Sequence, residues 1–134
     1  MTIKEQEVKT VLKTDRAPAA AGPWSAGWRA GDFVFVAGQG PIDPKTGKLT
    51  GATIQEQTRR TLENVKAVVE AAGASMADVV KVSVILTDMS NFAGMNEIYK
   101  MYFSEPFPAR MTYGAALVVP GMLVEIDAIA YAGK

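Results

Sequence analysis

The sequence contains no histidine and no cysteine. Without histidine it lacks the usual general base near neutral pH and the commonest metal ligand. Without cysteine it has no disulfide, no thiolate nucleophile and no zinc-thiolate centre. Serine triads built on a histidine base are excluded by the same count. An excess of charge is also missing, because 14 Lys and Arg balance 14 Asp and Glu. No basic run is present to neutralise a phosphate backbone or an anionic lipid surface, so neither nucleic acid nor membrane is an expected partner. Long apolar runs are absent as well: the opening MTIKEQEVKT is charged, and no segment approaches a signal h-region or a membrane span. A missing cysteine suits any compartment, so the missing leader alone points to a soluble, cytoplasmic protein.

What is present is a chain of 134 residues, 49% hydrophobic and 21% charged, which suits one domain over residues 1–134 with a continuous core. Gly31-Asp32 lies between SAGWRA and FVFVAG, and a turn dipeptide flanked by aromatic and β-branched residues predicts a hairpin. PIDPKTGKLTGAT, residues 41–53, has the composition of a surface loop. Thr53 with Glu56 reads as a capping box, apolar residues recur at 54, 62, 65, 68, 69 and 72, and Gly73 closes the helix they predict. VVKVSVILTD, residues 79–88, predicts a central strand buried largely on both faces. Ser90 is the expected cap of a second helix, in which Phe92, Met95, Tyr99 and Tyr102 form a core-facing stripe before Pro106 and Pro108 end it. Two last strands, 111–117 and 123–131, flank the turn signal in VVPG and predict a closing hairpin. The order implies an α+β layer, with two helices on one face of a mixed sheet. The other face then needs cover, for which self-association is the simplest source.

Few residues can carry chemistry. Arg110 follows FPA at a strand start, and its planar fork of donors matches a carboxylate, from a ligand or from the protein itself. Glu125 and Asp127 alternate with Val124, Ile126 and Ala128, so the two acids share one strand face. That face is wet, looks into a pocket, or pairs its acids with arginines such as Arg59 or Arg110. Two acids on one strand do not form the opposed walls of a glycosidase cleft. No Asp-rich loop of EF-hand spacing adds ligands, so no metal is expected. AGQGP, residues 37–41, lacks the lysine and hydroxyl of a phosphate-binding loop, and its glycines read as a tight turn. Trp24 in GPWS is either a packing plug or a wall of an apolar site.

APAAAGPWS, FVFVAGQGPIDPKTGKL, the stretch from EQTRRTLENV to NFAGMNEIY, PFPAR and VEIDAIA together resemble the Rid, or YjgF, family of reactive intermediate deaminases, from about Asp15 to Tyr131. The resemblance implies a chorismate-mutase-like α+β fold and a homotrimer with clefts at subunit interfaces. It implies cofactor-independent hydrolysis of 2-imino or enamine acids, such as iminopropionate and aminoacrylate, to a 2-keto acid and ammonia. The family arginine maps onto Arg110, which would hold the substrate carboxylate, and the family glutamate onto Glu125, which would position or activate water. Trp24, Ala37, Gly38 and Thr112 would line the substrate site. Trp24 stands where the family usually has tyrosine, Ala37 and Met111 where it has serine, and Thr112 where many members carry cysteine or another small residue. Lost hydroxyls make the site more apolar, which suits a larger, flatter conjugated enamine such as 2-aminomuconate. An imine is already electrophilic, so positioning it beside one oriented water can suffice without histidine or metal. Two other readings remain open: a trimeric small-carboxylate-binding protein without turnover, and an endoribonuclease, which a neutral chain without histidine serves poorly.

Overall fold

The computed structural model describes residues 8–133. The opening seven residues, on which most of the no-leader expectation rests, lie outside them. Six strands form one mixed sheet: β1 (Lys9–Leu12), β2 (Gly27–Ala30), β3 (Phe33–Gln39), β4 (Val79–Leu86), β5 (Ala109–Gly114) and β6 (Val124–Tyr131), with helices α1 (Ile54–Ala71) and α2 (Phe92–Tyr102). Their spatial order is β1-β2-β3-β6-β4-β5. The predicted α+β architecture is therefore present, a mixed sheet with two helices.

The first hairpin forms as expected, with Gly31 at φ 59 in the β2–β3 turn, a region that glycine enters without cost. Helix α1 also starts as predicted: Thr53 accepts from the Glu56 amide, and Glu56 accepts in return from the Thr53 amide. Four expectations are corrected. Strand β1 carried no sequence signal and pairs antiparallel with β2 at the sheet edge. Asp88, not Ser90, caps the 3-10 turn before α2, its side chain accepting from the Ser90 amide at 2.9 Å. The last two strands form no hairpin, because β5 pairs in parallel with β4 while β6 inserts antiparallel between β3 and β4. The connection between them exceeds the roughly two to five residues of a hairpin loop, and α2 supplies the crossover that parallel pairing of β4 and β5 requires. Finally, β4 is interior but buries only Val79, Val82, Val84 and Leu86, while Lys81, Ser83 and Ile85 on its other face are partly exposed.

The core lies between the sheet and the helices, where Val34, Leu62, Val65, Val68, Val82, Val84, Met95, Val124 and Ile126 are fully enclosed. The buried face of α1 is more polar than its apolar spacing predicted. Gln57, Thr58, Thr61 and Asn64 are all buried. Gln57 donates to the carbonyls of Gly51 at 3.1 Å and Gly121 at 2.9 Å and accepts from the Leu123 amide at 2.7 Å. Asn64 donates to the carbonyls of Gly40 at 3.0 Å and Ile42 at 2.9 Å. These side chains complete the backbone hydrogen bonding of the loops at the sheet rim, which no other group could satisfy away from water. Gln57→Ala would remove the side-chain partner of three backbone groups and is expected to cost about 3 kcal/mol. Urea unfolding should show a lowered midpoint at unchanged slope.

The opposite sheet face has no helix. By register Val11, Trp28 and Phe35 line up across β1 to β3. Phe33 meets Tyr131 edge-on at 5.1 Å, and Met111 and Tyr113 extend the same face on β5. These aromatic and apolar side chains are 36–57% exposed.

Candidate active site

Strand β6 carries Glu125 and Asp127 onto this uncovered face, as alternation predicted, while Val124, Ile126 and Ala128 enter the core. Neither acid pairs with an arginine among the described residues. Arg59 instead reaches the Met101 sulfur at 3.8 Å. Asp127 lies opposite Ser83 and accepts from its amide at 2.9 Å, which gives it a structural task. Glu125 lies opposite Ile85 and is half-buried. Burial first, and the neighbouring Asp127 charge second, push its carboxyl above the usual glutamate range.

On the third side of Glu125, the β3–β6 register slips. Val36 faces Ala128 and Gln39 faces Ile126, so Ala37 and Gly38 together oppose Asp127 in a β-bulge. Gly38 thus serves a bulge in a strand and not a tight turn, whereas Gly40 follows the strand and its carbonyl accepts from the Ile42 amide at 2.8 Å in a tight turn as expected. The Ala37 amide donates to the Ala26 carbonyl at 2.9 Å, which ties the loop carrying Trp24 to this bulge. Trp24 itself is 56% exposed and stacks over Gly22, where a Cβ would lie only 2.9 Å from ring atom Cε3. The ring borders an open recess of about 270 Å³ shared with Val11, Leu12, Pro18 and Ala20. The ring lines this recess and is not enclosed as a core plug would be.

Arg110 occupies a different place. Its register partner on β4 is the core residue Val82, and that of Thr112 is Val84, so both side chains leave the sheet on the helix side. There Arg110 Nη1 donates to Asn96 Oδ1 at 2.8 Å. The guanidinium carbon sits 4.6 Å from the Tyr99 ring centre and 5.6 Å from that of Phe92. Two aromatic faces and one amide fix the orientation of a half-buried cation and leave other N–H donors free. The Tyr99 hydroxyl is buried without a partner, and burial raises its pKa despite the opposing Arg110 charge.

The sequence-predicted residues therefore fall into two groups within one chain. Glu125, Ala37 and Gly38 are together, with the Trp24 loop tied to them. Arg110 and Thr112 are together on the other side of the sheet. Asn96, Phe92 and Tyr99 were not foreseen as partners of Arg110. Phe92 and Tyr99 belong to the stripe that read as core alone, and Asn96 adjoins it on the same side of α2; nothing in the sequence said that β5 would lie beside β4. Among the described residues no three acids cluster closely enough to hold a metal ion, and no helix is long and apolar enough to cross a membrane.

The endoribonuclease L-PSP family model matches residues 14–132. RutC family protein PH0854 of Pyrococcus horikoshii is 51% identical over 124 residues, covering 92% of this chain and 98% of that protein. The 2-iminobutanoate/2-iminopropanoate deaminase of Mus musculus is 39% identical over 126 residues, covering 94% and 93%. Among solved structures, E. coli TdcF with bound serine superposes with a TM-score of 0.86 at 41% identity, covering 92% of this chain and 99% of that one.

Proposed function

This chain belongs to the endoribonuclease L-PSP family, the family of the YjgF/Rid proteins, and from that premise we propose that it hydrolyses small 2-imino and enamine carboxylic acids to the 2-keto acid and ammonia. The named activity of the mouse relative supports the reaction class. The observation that carries the reading is Arg110, held in one orientation by Asn96 and two rings with donors to spare. Such a fork binds a substrate carboxylate and presents the adjacent C=N carbon. Water adds to that carbon, the C=N electron pair goes to nitrogen, and the carbinolamine then loses ammonia as the C=O bond forms. Each stage needs a proton moved between water and nitrogen. Glu125 is suited to move it, because a carboxyl raised above its ordinary range keeps a proton to donate at higher pH than an exposed one and takes it back more readily. An enamine substrate is first protonated at its β-carbon to the iminium, which is attacked by water directly or after losing a nitrogen proton to become the imine.

The proposed working form is a homotrimer. Arg110 and Glu125 leave one sheet on opposite sides, so one chain alone does not bring them to a common substrate. A contact joining two different surfaces of identical chains is heterologous, and a threefold rotation closes it as a ring. The uncovered aromatic face supplies apolar area for such a contact. The finer substrate preference rests on Trp24, Ala37 and Met111, which offer an aromatic wall and no hydroxyl. A flat conjugated enamine such as 2-aminomuconate should then have a higher kcat/KM than iminopropionate.

The test is ammonia and keto acid release from freshly generated 2-imino acids. Glu125→Gln is expected to lower kcat by about a hundredfold while leaving binding of a keto acid product intact. The serine held by TdcF favours one other reading, capture of small carboxylates without turnover. Ammonia release no faster than background in the unaltered protein would decide for it. Stability offers a second readout of Glu125. Its folded pKa lies above its unfolded value, so the native state holds the proton more tightly and loses stability as pH rises through that interval. Glu125→Gln should therefore raise Tm above the interval and leave it nearly unchanged below.

A further inference from the structure

Gly38 has no conformational need to be glycine. Its φ is not positive, unlike that of Gly31, and the bulge it forms with Ala37 is exposed at this position. What its missing side chain does is clear space. A Cβ placed there would lie 3.0 Å from the Glu125 carboxyl carbon, 3.2 Å from Cγ, and closer still to Oε2. Real Cβ atoms essentially never approach a neighbour as closely as this one would approach Oε2, and the three nearest atoms all belong to this one side chain. Among the described residues the Glu125 carboxyl accepts no hydrogen bond that would hold it in place. Its lodging is steric: Ile85 on β4 on one side, the bulge on the other, and Asp127 along its own strand.

We propose that Gly38 is a positioning residue, and that the space left by its absent side chain is the seat of the Glu125 carboxyl group. Its effect on turnover rests on the deaminase reading above, but the seat itself does not. Any side chain at position 38 turns the carboxyl out of the bulge toward solvent. The charged and titratable groups around it are few. Asp127 adjoins it on β6, Lys81 stands four residues along the same face of β4, Tyr113 lies beyond Ile85 on β5, and β3 presents none on this face. A carboxyl leaving the bulge moves away from burial and from Asp127, so its pKa falls toward that of an ordinary glutamate.

Carbon-13 NMR titration of the Glu125 carboxyl in the unaltered protein and in Gly38→Ala tests this without any substrate. The expected result is a lower titration midpoint in Gly38→Ala. With substrate, kcat should fall about a hundredfold, the size of effect that a shift of one ångström can have, with little change in KM and with the limb of its pH profile that Glu125 controls moved to lower pH. On a Glu125→Ala background, where no carboxyl remains to displace, the loss of kcat caused by Gly38→Ala should be far smaller than in the unaltered protein. Should Gly38→Ala fold poorly alone, that double variant recovers its Tm if the carboxyl is the obstacle. An unmoved titration midpoint in a folded Gly38→Ala overturns the proposal, whatever happens to kcat. A moved midpoint with full activity in Glu125→Ala leaves the seat standing and removes Glu125 from the reaction.

Discussion

Arg110→Ala is expected to lower kcat/KM for a 2-imino acid by about a thousandfold. A guanidinium fork on a carboxylate makes two charge-assisted bonds of roughly 1.5–3 kcal/mol each, and losing about 4 kcal/mol amounts to three orders of magnitude. The fork is already oriented before substrate arrives, because Asn96 Oδ1 takes one N–H and the rings of Tyr99 and Phe92 flank the cation. Little rotamer entropy is then left to lose on binding. Arg110→Lys retains the charge but not the plane or the paired donors, and should recover only part of the loss. Steady-state kinetics on both variants, with product binding followed by calorimetry, checks the claim. A fall of less than tenfold in Arg110→Ala would show that the carboxylate is held elsewhere. Tm should move little, since the strand register at Arg110 is set by backbone pairing with β4 and the buried Val82 and Val84 beside it.

The local parts of the fold could be read from the sequence where one physical signal dominates. Thr53 and Glu56 cap α1, Gly31-Asp32 turns the first hairpin, and alternation puts Glu125 and Asp127 on one face. The family resemblance gave the family and the fold as a whole. What local reading missed is set by contacts remote in sequence. VVPG carries turn chemistry, but the choice between a hairpin and an inserted strand depends on which edges remain open after β3 and β4 have formed. Gln57 and Asn64 look like surface residues on a helix. They are buried because loops at 40–51 and 121–123 bring unpaired backbone groups to them. Gly38 looked like a turn glycine because a bulge has no signature separable from a turn in AGQGP. The residues around Arg110 were hidden for a related reason. An aromatic stripe on a helix packs a core or flanks a cation equally well, and only the β4–β5 crossover decides which.

The division of the site between two sheet faces has a consequence that can be measured as a gain. Arg110→Ala keeps an intact Glu125 face, and Glu125→Gln keeps an intact Arg110 fork. If each cleft takes its arginine from one subunit and its glutamate from the next, unfolding the two variants together and refolding them as a mixture rebuilds some complete clefts. For equal amounts assembling at random around a ring, about one cleft in four receives both intact residues. The mixture should therefore regain about a quarter of the unaltered kcat from parents at or below roughly a hundredth of it. The same mixture made without unfolding should stay inactive until subunits exchange, and its slow rise would report the exchange rate. If both residues of each cleft came from one chain, every cleft in the mixture would carry one of the two lesions and no activity would return. The geometry favours recovery: Arg110 lies among α2 side chains on the covered face, Glu125 lies in the bulge of the uncovered one, and the sheet itself stands between them. If both groups serve one substrate, the proposed assembly has to bring the Glu125 face of one copy to the Arg110 side of the next.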